Sequence, residues 1–364
     1  MSSHNPPTEA WYTRQGPDSD TVLSTRTRLI RNLGGFVFPG KIKSDDAERV
    51  LSLVFDAFNH IHDTEEYQKV RMSALDARGR SILAERGVIE PGSGNEPWKG
   101  VIVRNDGTLA ATINIEDHLR VASFAPGLSV FASSSAVNEI DSILQKKLQF
   151  SALPGIGYLA QDIHNTGSGM KISVLCSLQG LFLNEILDRV IREYLAQGFS
   201  IRGYFGTSQN GSLGCLYQLS GGSCSSGDIQ SQISRMEQAA GKLAVLERRC
   251  RADLIETRKT EIEDIVFRAL AIAKYARYIG RDEAINLIEQ IRLGLNLDLV
   301  TGIENIELTA LLYRIQTAHL SFVISSGSII IEEDVRQEEQ KLDRLRAMVI
   351  QEVLKYADIQ EKRN

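Results

Sequence analysis

The chain has 364 residues, of which 43% are hydrophobic and 24% charged, with a formal net charge of −5. That length accommodates about two domains with sizeable cores, and the composition is that of a soluble globular protein. The charge excludes a whole-surface grip on nucleic acid, while the polar N-terminus and the absence of any long apolar run predict a cytoplasmic protein with no membrane partner.

Residues 1–17, rich in Pro, Ser and other polar types, read as a flexible arm. A helix is expected over Ser44 to His62, with Ser44 as cap and Asp45, Asp46 and Glu48 near the positive end of its dipole. The Pro- and Gly-rich stretch from Pro91 to Pro97 is a loop. Val101 to Val103 and Leu109 to Ile113 flank Asn105-Asp106-Gly107, a hairpin signal that sets Glu116 just past a strand end. Further strands are expected at 171–178, 200–204 and 215–219, with an amphipathic helix from Leu183 to Ala196. Such a mixture, with antiparallel pairs, is α+β.

Beyond the Ser/Gly-rich residues 220–227 the pattern is almost wholly helical, interrupted near 303–306 and 325–331. This divides the chain into an arm (1–17), a sheet-bearing domain (18–249) and a helical domain (250–364). Leu342, Leu345, Val349 and Val353 form an apolar stripe that suits either a pairing surface or an internal core. Cys176, Cys215, Cys224 and Cys250 lack metal-site spacing and read as reduced thiols, and no metal site is expected.

Two segments carry candidate chemistry. In Ser24-Thr25-Arg26-Thr27-Arg28-Leu29-Ile30-Arg31-Asn32, alternation in an extended chain puts Arg26 and Arg28 on one side, with Arg31 close behind. Guanidinium is permanently charged and forks onto phosphate oxygens, so converging arginines can hold a triphosphate; a solvated basic edge is the alternative. Asn114-Ile115-Glu116-Asp117-His118-Leu119-Arg120 offers a carboxylate, or a charged strand end with a structural histidine. Asn165 to Gly169, followed by Lys171, is either a phosphate-cradling loop or a plain turn.

The order of these segments resembles the ATP:guanido phosphotransferases, or phosphagen kinases, and among them the McsB-type protein arginine kinases. Residues 16–32 resemble the family's G-P-x-S-D-x-V-L-S-S-R-x-R-L-x-R-N, residues 114–120 its N-E-E-D-H-x-R, and residues 162–171 its C-P-T-N-x-G-T-G-x-R. Ile201-Arg202-Gly203 and Tyr217 to Ser220 resemble later pieces. Arg292 to Leu295 and Thr317 to Leu320 are similar to the helical C-terminal domain of the McsB group, so the likeness spans about residues 11–350.

The resemblance implies a phosphagen-kinase-like antiparallel sheet flanked by helices, followed by an all-helical C-terminal domain. It implies Mg2+-ATP bound by Ser24, Arg26, Arg28, Arg120, Lys171 and Arg202, with Glu116 as catalytic base toward an arginine guanidinium on a protein substrate. Asp343 and Arg346 match the end of the group's phosphoarginine-binding element. A zinc-binding activator protein, an AAA+ protease and a homodimer are the implied partners, and protein quality control the implied setting.

The chain departs from the pattern around the acceptor. Ile115 replaces a glutamate, Asp162 a cysteine and Lys171 an arginine, while Gly206 to Asn210 lacks the carboxylates of the family's acidic loop. Asp162 is the candidate to contact the substrate guanidinium instead. Two readings stay open: an active protein arginine kinase with a remodelled acceptor site, or a degenerate kinase acting as a nucleotide- or phosphoarginine-binding adaptor.

Overall fold

In the computed structural model, which describes residues 10–208, 211–222, 224, 228–327 and 329–360, the chain divides into two units. The first comprises residues 1–16, 24–174 and 220–239; the second comprises 17–23, 175–219 and 240–364.

The first unit holds strand β1 (Val22–Arg31), helix α1 (Ser44–Ala57), β2 (Tyr67–Arg71), α2 (Ala77–Glu85), β3 (Gly100–Arg104), β4 (Leu109–Ile113), β5 (Leu119–Pro126), α3 (Val130–Leu144), the two-residue strands β6 (Ala152–Leu153) and β7 (Gly157–Tyr158), and β8 (Met170–Ser177). The sheet order here is β2-β3-β4-β5-β1-β8, antiparallel from β2 through β1. The expected hairpin forms, with Gly107 at φ 71 and Val101 opposite Thr112. Only a residue without Cβ takes that turn position cheaply.

Alternation along β1 sorts its side chains. Thr25, Thr27, Leu29 and Arg31 are buried, whereas Ser24, Arg26 and Arg28 on the other face are half-buried. Helix α3 covers the first set. Ser133 Oγ accepts from Thr27 N at 3.1 Å, and Arg31 forks onto Asp141 with Nε–Oδ1 at 3.0 Å and Nη2–Oδ2 at 2.8 Å. The Arg31 guanidinium also lies 3.5 Å from the Tyr158 ring centroid. Arg31 therefore belongs to the core and not, as the sequence suggested, with the other arginines.

Two local expectations change. Lys43, not Ser44, is the N-cap residue of α1, and the helix ends at Ala57 before a 3-10 turn, Phe58–His60. The described end of the expected arm is anchored: Trp11 is buried, stacks on Phe124 at 5.9 Å and donates its backbone N–H to Asp106 O. Burial of a large aromatic ring outweighs the polar composition around it.

The second unit contains α4 (Gln179–Leu183), α5 (Leu187–Ala196), β9 (Phe199–Gly203), the short β10 (Thr207–Ser208) and β11 (Gly211–Ser212), and β12 (Leu216–Gly221) beside β9. The single helix expected over 183–196 is broken because Glu185 adopts φ 58. Helix α6 (Ile229–Tyr275) runs through the boundary expected at residue 250 and is irregular at Arg258. Then come α7 (Arg281–Asn296), β13 (Val300–Thr301), α8 (Asn305–Arg314), α9 (Thr317–Ser325), α10 (Glu338–Val353) and β14 (Asp358–Ile359). β13 and β14 pair, a small exception to an all-helical region. The interruption near 303–306 is a capping box made by Glu304 and Glu307.

Leu254, Ile262, Val266, Ile288, Leu311 and Ile350 belong to this unit's apolar core, and Val349 and Val353 pack against it. With Leu345 buried as well, this part of the C-terminal apolar stripe is internal, while Leu342 is half-buried. Polar ties sit at the rim: Asp20 accepts from Arg248 Nε at 2.9 Å, and its backbone carbonyl accepts from Arg251 and Asn296. Glu247, 1% exposed, receives Gly180 N at 2.7 Å and Leu181 N at 2.9 Å, capping α4. Burial nevertheless pushes this carboxyl from 4.5 up to about 7, with Arg251 opposing.

Asp141→Ala should cost about 3–5 kcal/mol in chemical unfolding, because it strands a buried guanidinium. Glu193→Ala, at a surface pair 3.7 Å from Arg189, should cost less than about 1 kcal/mol. For Glu247 the folded state holds its proton more tightly than the unfolded chain. Its stabilising contribution is therefore complete below the unfolded value and lost as pH rises through about 7. Unfolding midpoints taken between about pH 5 and 8 should fall with pH in the natural chain and less steeply in Glu247→Gln.

Candidate functional site

The site is built on the β1 face turned away from α3. Arg26 is opposite Phe124, Arg28 opposite Ala122 and Ile30 opposite Arg120. Directly opposed residues share a face, so Arg26, Arg28 and Arg120 line one surface, with Ser24 two positions before Arg26. The expected convergence of these arginines is present.

A helix end supplies the partners. Helix α2 stops at Arg86; Gly87 takes φ 72, Gly87 N donates to Ala84 O at 2.9 Å and Val88 N to Leu83 O at 2.9 Å. This is a Schellman cap with Val88 buried, and it frees the carbonyls of Gly87 and Val88 to face the sheet. Gly87 O accepts from Arg26 Nη1 at 3.3 Å, and Val88 O from Arg120 Nη2 at 2.9 Å. Two residues on, Glu90 places its carboxylate 3.7 Å from Arg120 Nη1.

The turn between β4 and β5 delivers the second carboxylate. Asn114 sits at φ 55 and donates to Ala47 O and Trp98 O, both at 2.8 Å. Asp117 Oδ1 accepts from Asn32 Nδ2 at 2.6 Å and Gln161 N at 2.8 Å. His118 Nδ1 accepts from Leu33 N at 3.1 Å, which assigns the ring proton to Nε2, 2.9 Å from Val37 O. Burial lowers the His118 pKa, so the ring stays neutral. Asp117 and His118 are consumed in shaping the turn. Glu116, half-exposed, points outward with Oε2 3.5 Å from Arg120 Nη1.

Arg120 is 4% exposed, yet its Nη1 makes no hydrogen bond among the described residues. Nη1 is thus a buried, charged donor 3.7 Å and 3.5 Å from two carboxylates and hydrogen-bonded to neither. Arg28 registers the crowding. Burial first, then Arg26 and Arg120, push its guanidinium down to about 9, while Glu90 and Glu116 oppose the shift.

Burial raises the pKa of the Cys224 thiol, on which Lys171, Arg28, Asp162 and Arg31 also bear. Asp162 is exposed and its Oδ1 caps the turn Ile163–Asn165 by accepting from His164 N at 3.0 Å. The glycine loop is not an anion cradle. Gly167 N donates to Tyr158 O at 3.0 Å and Ser168 N to Cys224 O at 3.2 Å. Its glycines serve close packing instead: at Gly169, φ 66, a Cβ would lie 2.6 Å from Ile30 O. The cysteines are all free thiols.

Arg202 lies exposed on β9 in the second unit. Of the stretch 206–210, residues 209–210 lie outside the described residues. In α10, Arg346 is 2% exposed; it donates to Ile315 O at 3.0 Å and Ile279 O at 2.9 Å and pairs with Asp343. An anion reaching this guanidinium would have to displace Asp343. Glu90, Gly87 and Val88 were not flagged by sequence; the Arg-Gly-Val ending of α2 was the available signal.

Comparison with known proteins gives concordant results. The family model "ATP:guanido phosphotransferase, C-terminal catalytic domain" matches residues 49–250, and "Protein-arginine kinase McsB C-terminal domain" matches 259–364. A protein-arginine kinase of Pelotomaculum thermopropionicum is 31% identical over 315 residues, covering 85% of this chain and 88% of that one. A protein-arginine kinase of Halothermothrix orenii is 29% identical over 336 residues, covering 92% and 96%. The solved structure of lombricine kinase superposes with a TM-score of 0.57 at 18% identity, covering 68% of this chain and 74% of that one, which speaks to fold alone.

Because Arg28 is held among like charges, Arg28→Gln should raise the melting temperature of the ligand-free protein by about 2–4 °C. The same variant should bind tripolyphosphate at least about tenfold more weakly. Calorimetry and a thermal melt read both; equal melting with unchanged binding would remove Arg28 from the anion site.

Proposed function

We propose, from the premise that the chain belongs to the ATP:guanido phosphotransferase family, that it transfers the γ-phosphoryl group of ATP to arginine side chains of proteins. The observation that carries this reading is the unbonded Arg120 Nη1, set beside Arg26 and Arg28 and flanked by two carboxylates. The relatives named as protein-arginine kinases point the same way and disfavour the catalytically silent adaptor.

In this reading Arg26, Arg28 and Arg120, with Ser24 and Lys171, hold the nucleotide phosphates. Fixed cations stabilise the charge spread over the transferring group. No group of three or more His, Cys, Asp or Glu side chains suited to a metal occurs among the described residues. The arginine donors fit a polyphosphate, and Mg2+ brought in with the nucleotide would neutralise part of its charge.

Glu116 acts on the acceptor. A guanidinium, with a pKa above about 12, is a poor nucleophile until its lone pair is released. As the guanidinium nitrogen bonds to the γ-phosphorus, the bond to the bridging oxygen of ADP breaks. The guanidinium proton passes to the Glu116 carboxylate and on to solvent. No covalent enzyme intermediate is required, so alignment supplies much of the rate. Asp162 is assigned a secondary contact with the acceptor through Oδ2. Asp343 and Arg346 are proposed to sense phosphoarginine only by exchanging their mutual pair for the phosphate. The resemblance also supports a zinc-binding activator, an AAA+ protease and pairing of two copies as parts of this function.

The test is incubation of the full chain with γ-labelled Mg-ATP and an unfolded arginine-rich protein. Acid-labile label should appear on arginine and fall by about 10²–10⁴-fold in Glu116→Gln, with nucleotide affinity preserved. Nucleotide binding without any label on arginine would sink the proposal.

A further inference from the structure

Glu90 is a second carboxylate beside Arg120, outside the motif segments that carry the sequence resemblance. We infer that Glu90 binds the substrate guanidinium opposite Glu116 and is the specificity carboxylate for arginine in this chain; this rests on the acceptor being a guanidinium, as proposed above.

Geometry leads to it. Glu90 Oε1 and Glu116 Oε2 lie 3.7 Å and 3.5 Å from the same Arg120 nitrogen, so the two carboxylates approach one point from different loops. Both side chains are about half-exposed, 54% and 52%, leaving their outer oxygens open to a ligand. Both also act on Arg28, which places them against the arginine cluster rather than on a separate surface.

The Glu90 backbone is fixed. Its carbonyl accepts from Ser93 N at 3.1 Å and Ser93 Oγ at 2.7 Å, and the preceding Val88 and Ile89 are buried. The carboxylate is thus presented by a clamped turn, not by a loose loop.

Charge favours a further carboxylate beside Glu116. Arg26, Arg28 and Arg120 form a field of three positive charges, and a cationic acceptor must come close enough to attack a phosphoryl group held there. One carboxylate offsets one of those charges. The neighbour of Glu116 is the apolar Ile115, which contributes none. Two carboxylates also match the planar, multi-donor guanidinium better than the compact ammonium of lysine.

The experiment uses the full chain with a short unstructured peptide carrying one arginine, its lysine counterpart and a non-hydrolysable ATP analogue, all by calorimetry. In Glu90→Gln the arginine-peptide Kd should rise about tenfold, with nucleotide Kd within about twofold of the natural chain. Preference for arginine over lysine should shrink, and Glu90→Asp should recover part of it. Thermal melts check folding, and Glu90→Ser is the second variant should Gln not fold. An unchanged arginine-peptide Kd overturns the inference. So does a joint loss of peptide and nucleotide affinity, which would make Glu90 only a prop for Arg120, and so does the absence of peptide binding by the natural chain. The readout is independent of turnover. Glu90-dependent peptide binding without phosphorylation would end the kinase reading and keep this one; phosphorylation with unaltered KM in Glu90→Gln would do the reverse.

Discussion

Strand β1 performs two tasks on alternate residues, and the first unit is arranged around that division. Its odd-numbered side chains lie beneath α3, where Arg31 forks onto Asp141 and Thr27 meets Ser133. Its even-numbered side chains, Ser24, Arg26 and Arg28, face the other way. Three arginines on one bare face would repel one another and splay. They stay together because the strand is fixed from behind and because Gly87 O and Val88 O accept from Arg26 and Arg120 in front. Burial first, then Arg26 and Arg120, still hold the Arg28 guanidinium below its usual range.

This explains which parts of the site could be read in the sequence. Alternation is a local property, so the shared face of Arg26 and Arg28 followed from their spacing, and the Asn105-Asp106-Gly107 turn correctly placed Glu116 beyond a strand end. The same alternation puts Arg31, one position out of phase, on the opposite face, but local spacing could not name its partner Asp141, 110 residues away. The contribution of α2 was invisible for a similar reason. A glycine after a helix predicts a cap, but not what the freed carbonyls will face. The loop at 165–169 could be read as a cradle or a turn; in the structure Gly167 N is committed to Tyr158 O and Ser168 N to Cys224 O.

Motif wording also blends chemistry with scaffolding. In residues 114–120, Asn114, Asp117 and His118 fix the turn, and only Glu116 and Arg120 remain to act. The Gly-Pro-Asp-Ser-Asp stretch near the start behaves likewise. Asp18 and Asp20 pair with Arg248, and Asp20 also with Arg251, on α6. Residues that resemble a family signature can therefore be there for the fold.

The electrostatic design of the site follows from the charges of its two substrates. A polyphosphate needs cations, a guanidinium needs anions, and transfer requires the two to touch. Arg120 sits where these demands meet: buried, bonded on one side to Val88 O, and with Nη1 turned between Glu90 and Glu116 without bonding to either. At separations of 3.5 and 3.7 Å both carboxylates attract this nitrogen without forming a hydrogen bond to it. In the proposed reaction this arrangement assigns the one cation to the phosphate and its two anionic neighbours to the acceptor.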